Sequence, residues 1–330
     1  MSRVTGLARR TDHEADARAA LAADVRRYLE ATPRQLPSRA LYDPLGSALF
    51  DAICQLPWYP VTRAERGLLA THRADILRLA GAPPLVVELG PGNGEKLELL
   101  LRAGVLPPSG RRDVHLVDVS ALALQNAAHR LSEVPGVRTL SHQRTYEAGL
   151  VDAVRHRAAS DQALVLFLGS NIGNFDPAGA RRFLHEARAA LRVGDVMLIG
   201  ADLVKPEREL QLAYDDPLGV TAAFNKNLLV HLNRELDATF DITRFAHRAV
   251  WNAEASRVEM HLVSLVAQSI DVPAAGVSFD MAPGETIWTE SSYKYEVGAF
   301  EGALAEAGFD AVHRWVADPG RFMLVMARAR

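Results

Sequence analysis

The run Leu85-Val86-Val87-Glu88-Leu89-Gly90-Pro91-Gly92-Asn93-Gly94-Glu95-Lys96 joins an apolar stretch to a glycine turn and then to helix-forming residues, and few folds accommodate that order. Leu85 to Val87, two of them β-branched, read as a strand covered on both faces. Glu88 then sets a carboxylate at the strand's carboxyl end, just ahead of three glycines spaced by two. Open α/β sheets bind ligands at that position, and glycine lets a ligand approach the main chain.

The spacing narrows the ligand. A dinucleotide fingerprint, G-x-G-x-x-G, would place its third glycine where the chain has Glu95, an acid at the point where a pyrophosphate meets a helix N-terminus. The P-loop spacing is not met either. The remaining pattern, E-x-G-x-G-x-G after a buried strand, resembles the first motif of class I methyltransferases, which holds S-adenosylmethionine. A glycine-rich turn without a ligand is the alternative that spacing alone leaves open.

Composition excludes several classes. With 330 residues, 48% hydrophobic, 23% charged and a formal net charge of −3, the chain reads as a folded enzyme of two domains or one elaborated domain, with no polycationic signature for nucleic acid. The single cysteine, Cys54, rules out an internal disulfide and a cysteine-built zinc site, and its neighbours Ile53 and Leu56 suggest a core residue. The histidines show no tight ligand spacing, so no metal is expected. Residues 1–13 lack the apolar centre of a signal peptide, and no stretch approaches the ~18 apolar residues of a membrane span. A cytoplasmic protein without membrane or nucleic-acid partners is expected, with a monomer as the default.

Along the chain, Thr11-Asp12-His13-Glu14 reads as a capping box opening a helix over about 12–31. Tyr42 to Ser47 reads as a turn ahead of a helix over about 48–56. Pro57-Trp58-Tyr59-Pro60 either covers the core or lines a pocket. A capping box at Thr62-Arg63-Ala64-Glu65 starts the next helix. After the central strand, Val114 to Asp118 is a second strand ending in an acid 24 residues past Gly94, the place where a ribose is read. A helix over 121–131 follows, then a weak strand at 137–140 and a strong one from Ala163 to Leu168 that empties into Gly169-Ser170-Asn171-Ile172-Gly173-Asn174. Those polar residues either cap the next helix or face a substrate. Asp176-Pro177 starts a helix to about 191, and Val196 to Ala201 is a fifth strand.

Strands alternating with helices predict a doubly wound, mostly parallel sheet. From Lys205 the pattern changes to a helical stretch, clearest over 220–234, followed by a hairpin from segments near 248–252 and 258–266. A helix over 299–307 closed by Gly308 and a pair at 311–316 and 322–327, turned by Asp318-Pro319-Gly320, predict a terminal antiparallel hairpin of the kind class I methyltransferases carry.

Seven segments stand in order along the chain: Tyr42-Asp43-x-x-Gly46-Ser47-x-Leu49-Phe50, Thr62-Arg63-x-Glu65, Leu168-Gly169-Ser170-x-Ile172-Gly173-Asn174, Ala213-Tyr214-Asp215-Asp216, Gly219 to Asn225, Val258-Glu259-Met260 and Thr289-Glu290-x-Ser292-x-Lys294. Together they resemble the histidine Nα-methyltransferases of ergothioneine biosynthesis and related fungal aromatic amino-acid N-methyltransferases. The resemblance implies an α/β Rossmann-like methyltransferase core over 64–204 and 295–330 and a substrate-binding α+β domain over 12–63 and 205–294. It implies that Glu88, Gly90, Gly92, Lys96 and Asp118 surround S-adenosyl-L-methionine. It places Tyr42, Tyr59, Gly169, Asn174, Tyr214, Met260, Glu290 and Ser292 on the amino-acid pocket, with Asn174 and Tyr214 at the substrate carboxylate and Glu290 and Ser292 at the imidazole. Bacterial members often have Gly-Asp-Phe where adenine is read, whereas this chain has Thr145-Tyr146-Glu147-Ala148-Gly149-Leu150, resembling the eukaryotic branch. Thr145 and Tyr146 are thus expected at the adenine.

The implied reaction is S-adenosylmethionine-dependent trimethylation of the α-amino group of L-histidine to hercynine, with no general base assigned. The same chemistry on tryptophan or a prenylated tryptophan is the nearest rival, and a nucleotide-binding module without turnover is a rival of another class. An NAD-dependent oxidoreductase is opposed by Glu95.

Overall fold

The computed structural model describes residues 2–155 and 157–330, with side chains described from residue 15 onward. Two compact units emerge, one of residues 1–59 and 206–292, the other of residues 60–205 and 293–330.

The first unit begins with α1 (Ser2–Leu29), which starts upstream of residue 12. The expected capping side chains at 11–14 lie outside the described residues. α2 spans Pro44–Ile53, four residues earlier than the pattern suggested. The reason is local: Asp43 Oδ1 accepts from the Gly46 N–H at 2.7 Å, so Asp43 is an N-cap and Pro44 the first helical residue, a pairing that looks like a turn in sequence. Cys54 follows the helix half-buried, more exposed than the core position expected of it.

The sheet unit opens with α3 (Pro60–Leu79), followed by β1 (Leu85–Leu89), α4 (Glu95–Leu101), β2 (Arg112–Asp118), α5 (Ala121–Leu131) and β3 (Val137–Gln143). Then come α6 (Tyr146–Val154), β4 (Ala163–Phe167), a 3-10 turn at Asn171–Asn174, α7 (Pro177–Ala190) and β5 (Val196–Asp202). β1, β4 and β5 are buried along their whole length, as continuous apolar runs require in a parallel sheet covered on both faces. α6 carries no strong apolar period, and the sequence pattern did not mark it.

The chain then returns to the first unit through α8 (Glu207–Tyr214), α9 (Val220–Leu236), β6 (Phe245–Asn252), β7 (Arg257–Ser264), β8 (Gln268–Val272), β9 (Val277–Met281) and β10 (Thr286–Tyr293). β6 and β7 form the expected antiparallel hairpin, Asn252 opposite Arg257, and β10 completes a three-stranded sheet ordered β10-β7-β6. β8 to β10 went unrecognised in sequence, being short or interrupted by polar residues.

α10 (Val297–Glu306), β11 (Phe309–Ala317) and β12 (Phe322–Ala329) finish the sheet unit. The seven strands run β11-β12-β5-β4-β1-β2-β3, with β12 antiparallel to β5 and to β11 and the other pairs parallel. Strand order reverses between β1 and β4, so a ligand crevice is expected outside their carboxyl ends.

Candidate cofactor and amino-acid sites

Glu88 occupies the carboxyl end of β1 and is 1% exposed. Neither of its carboxylate oxygens has a hydrogen-bond partner. Desolvation pushes its pKa up to about 8, against the attraction of Lys96 and with the repulsion of Glu65 and Asp118 adding to it. Above it the β1-α4 turn runs through Gly90, Gly92 and Gly94, all at positive φ. A Cβ at Gly94 would lie 2.8 Å from Cα of Ala127, so the turn closes against α5 only with glycine there. A Cβ at Gly92 would meet nothing within 4 Å, which leaves that main chain open on one side.

Asp118 ends β2 half-buried, and its Oδ1 accepts from the Ser120 N–H at 2.8 Å. Burial raises its pKa, while the N–H groups of Ser120 and Val119 pull the other way. Tyr146, in the first turn of α6, packs edge-on against Phe167 with ring centroids 5.2 Å apart. Its hydroxyl lies 3.1 Å from where a Gly90 Cβ would stand, and burial raises the phenol's pKa. Thr145 is exposed at the N-cap of α6 and makes no capping bond.

Lys96 leads to Glu65, expected from the sequence to close a capping box; α3 instead starts at Pro60, so Glu65 lies inside the helix and its carboxylate is turned to other partners. The Lys96 ammonium pairs with Glu65 Oε2 at 2.7 Å, and Glu65, 0% exposed on α3, also accepts the Gly169 N–H at 2.7 Å. One buried carboxylate therefore ties the α4 lysine to the turn leaving β4. It fits because residue 200 on β5 is glycine, where a Cβ would stand 2.2 Å from Glu65 Oε1. A helical acid five residues past the start of an apolar-faced helix is a sequence signal for this role, but its partners are distant in the chain. Asn174 ends the 3-10 turn beyond Gly169 and is exposed. The capping function beside it belongs to Asp176, which accepts the Gly179 N–H.

In the other unit, five of the predicted residues form a connected group. Tyr214, at the end of α8, donates its hydroxyl hydrogen bond to Ser292 Oγ at 2.7 Å, and its ring meets Tyr59 edge-on at 6.2 Å. Phe50 of α2 lies between Tyr59, at 6.3 Å, and Tyr42, at 5.7 Å. Tyr42 Oη stands 3.5 Å from Glu290 Oε1, the long limit of a hydrogen bond. Tyr59, Tyr214 and Ser292 are buried, Glu290 is half-buried and Tyr42 is 38% exposed. Met260 is buried on β7, and its carbonyl oxygen lies 3.0 Å from the Thr289 hydroxyl oxygen. The entry to α2 is locked by Asp43, which accepts from Asn227 at 2.7 Å and Arg234 at 3.0 Å. Burial would raise that carboxyl's pKa, but the Gly46 N–H, Arg234 and Asn227 outweigh it and hold it low.

Among the described residues no group of three or more histidine, cysteine, aspartate or glutamate side chains is placed to hold a metal ion. No helix of the described chain is long and apolar enough to cross a membrane.

The family described as "Histidine-specific methyltransferase, SAM-dependent" matches residues 21–329. The chain belongs to that family. It is 42% identical over 317 residues to the histidine N-alpha-methyltransferase of Mycolicibacterium smegmatis, covering 93% of this chain and 94% of the relative. Its identity to the protein of the same name from Mycobacterium tuberculosis is 40% over 309 residues, again 93% and 94% of the two chains. A third relative, ergothioneine biosynthesis protein 1 of Neurospora crassa, is 28% identical over 90% of this chain, which spans about a third of that longer protein.

For a methyltransferase using S-adenosylmethionine, the residues at the β1-β2 edge fit the cofactor's chemistry. The ligand carries an ammonium and a sulfonium, and a buried carboxylate with both oxygens unpartnered, Glu88, is what such a cation compensates. Asp118 offers a carboxylate at the ribose-reading position, and the open side of Gly92 offers main chain.

Proposed function

We propose that this methyltransferase alkylates the α-amino nitrogen of L-histidine three times, giving Nα,Nα,Nα-trimethylhistidine (hercynine) as the first step of ergothioneine biosynthesis in the cytoplasm. The observation that carries the reading is the reach of the family match, which takes in the segments bearing Tyr42, Tyr214 and Glu290 as well as the glycine turn. The names of the bacterial and fungal relatives support both the substrate and the pathway.

In this reading the sheet unit holds the cofactor through Glu88, Gly90, Gly92, Lys96, Asp118, Thr145 and Tyr146. The other unit supplies Tyr42, Tyr59, Tyr214, Met260, Glu290 and Ser292 to the amino acid, and Gly169 and Asn174 act on the same substrate. S-adenosylmethionine supplies a methyl group already activated on a sulfonium, so the residues' task is alignment of the amine with the S–CH3 axis. Tyr214 and Asn174 orient the carboxylate, Glu290 accepts an imidazole N–H, and Ser292 bonds the other ring nitrogen. The rings of Tyr42 and Tyr59 give the nitrogen a wall that tolerates accumulating positive charge. The amine sheds a proton before each transfer, and no side chain is assigned as its acceptor.

The test is mass spectrometry of the purified protein with S-adenosylmethionine and a panel of the common amino acids. Histidine should gain one, two and three methyl groups at its α-nitrogen. Faster methylation of any other amino acid would overturn the substrate.

A further inference from the structure

Behind Tyr214 and Ser292 lies a buried polar network with no part in the site as drawn above. Asn225, on α9 and 0% exposed, makes three contacts from its amide. Its Oδ1 accepts the Thr289 hydroxyl at 2.7 Å, and its Nδ2 lies 3.2 Å from the His261 carbonyl and 2.9 Å from His247 Nδ1. The carbonyl fixes the amide orientation, because only the NH2 end can donate to it. His247 Nδ1 must then be an acceptor, which places the ring proton on Nε2, where it is donated to the Tyr214 carbonyl at 2.8 Å. The His247 side chain is 1% exposed, and burial holds its pKa down, against the pull of the Tyr214 carbonyl, Asp215 and Asp216 and with Lys226 assisting. A protonated ring would turn an N–H against the Asn225 NH2, so the neutral tautomer is the one the geometry accepts.

The chain of bonds runs from Thr289 through Asn225 and His247 to the backbone of Tyr214, and the Tyr214 hydroxyl returns to Ser292. It closes a loop across α8, α9, β6 and β10, with every member inside one compact unit. The Thr289–Asn225 and Tyr214–Ser292 bonds are buried at 2.7 Å and the two His247 bonds are part-buried at 2.8 and 2.9 Å, so displacement of one member shifts the others.

We infer that Asn225 and His247 are positioning residues for amino-acid recognition, holding Tyr214 and the Thr289–Ser292 stretch of β10 in the one register that presents Tyr214, Glu290 and Ser292 together. This rests on the assignment of those three residues to the substrate. Asn225 and His247 touch no reacting atom in this scheme, and their effect passes through the groups they hold.

The experiment is calorimetric titration of the full chain with histidine in the presence of adenosylhomocysteine, paired with kcat and KM. His247→Phe keeps the ring's bulk and removes both hydrogen bonds, and His247→Gln restores a donor for the Tyr214 carbonyl. Thr289→Val removes only the hydroxyl at the far end. His247→Phe is expected to weaken histidine roughly tenfold or more, with KM rising by more than kcat falls and adenosylhomocysteine affinity within about twofold of wild type. His247→Gln should recover most of the loss, and Thr289→Val should show a smaller loss of the same kind. Because the members are linked, the double variant His247→Phe/Thr289→Val should lose less than the two single losses combined.

A folded His247→Phe protein with wild-type histidine affinity would overturn the inference, as would a Gln variant no better than Phe or an equal loss of adenosylhomocysteine affinity. If His247→Phe does not fold, Thr289→Val decides by the same measure. Should the wild type bind a different amino acid, the histidine assignment fails by itself, and the variant ratios are read on that amino acid instead.

Discussion

The two clusters of candidate residues are built by opposite means. At the end of β1 and β2 the groups are charges and bare backbone: a partnerless buried carboxylate at Glu88, an acid at Asp118, a Lys96–Glu65 ion pair and three left-handed glycines. In the other unit most of the groups are neutral and bonded to one another, Tyr214 to Ser292 and Thr289 to Asn225, with aromatic rings meeting at their edges. A buried carboxylate without a partner suits recognition of a cationic, ribose-bearing ligand that many enzymes share. Interlocked hydroxyls suit discrimination, because a ligand with the wrong hydrogen-bond pattern leaves a buried polar group unmatched.

If that contrast holds, the largest effect should be on selectivity. The wild type is expected to prefer histidine to tryptophan by ~10⁴–10⁵ in kcat/KM, since indole offers one ring nitrogen where imidazole offers two. Glu290→Ala with Ser292→Thr should lower histidine turnover and narrow that ratio. Wild-type turnover of tryptophan at or above that of histidine would break the contrast at its strongest point.

Next in size is the cofactor end. Asp118→Ala should cost two charge-assisted hydrogen bonds to the ribose, about 1.5–3 kcal/mol each, read as adenosylhomocysteine affinity by calorimetry. The histidine-to-tryptophan ratio should stay where it was. An unchanged affinity in a folded variant would remove Asp118 from the cofactor's surroundings.

Smaller is the carboxylate end of the amino acid. Asn174→Ala or Tyr214→Phe should raise the histidine KM roughly tenfold with little change in cofactor affinity. Histamine, which lacks the carboxylate, should be a poor substrate for the wild type, and equal turnover of histamine would refute the assignment.

The gentlest test is pH. Glu88 has its pKa raised from 4.5 to about 8, so the ligand-free folded protein holds a proton there that the unfolded chain has lost. Folded stability from this group therefore falls as pH rises from about 4.5 to about 8, because the native state binds more protons than the unfolded state in that window. A cation bound beside Glu88 favours the carboxylate, so adenosylhomocysteine affinity should rise with pH across the same interval, by at most about tenfold per unit. Glu88→Gln should flatten that rise, and a slope identical to wild type would show that another group titrates.

The contrast also explains what was legible in the chain. Strand β1, its glycine turn and α4 are contiguous, and β2 ends in its acid a short distance on, so local pattern was enough to place Glu88, Gly90, Gly92, Lys96 and Asp118 at one edge of a parallel sheet. The terminal hairpin announced itself through Asp318-Pro319-Gly320, and α9 and the β6-β7 hairpin through their periods. The start of α2 was misplaced because an Asp-Pro pair reads equally as a turn or as a cap, and only the Asp43 bond to Gly46 separates the two. β10, which carries Glu290 and Ser292, was invisible to pattern, since Thr286 to Tyr293 mixes polar and apolar residues and pairs with a strand more than twenty residues earlier.

By itself the sequence determined the class of sheet, the place of two carboxylates at the ends of adjacent strands and, through resemblance of whole segments, the chemistry. Those are matters of nearest neighbours along the chain, of strand period, glycine spacing and an acid at a strand's end. Only the tertiary structure decided that Glu65 binds both Lys96 and the Gly169 N–H, that Gly200 is what admits it, and that His247 carries its proton on Nε2 toward Tyr214. Each of these depends on partners dozens to more than a hundred residues apart. Hydrogen-bond direction there is fixed by which donors and acceptors folding buries together, and no local pattern encodes it.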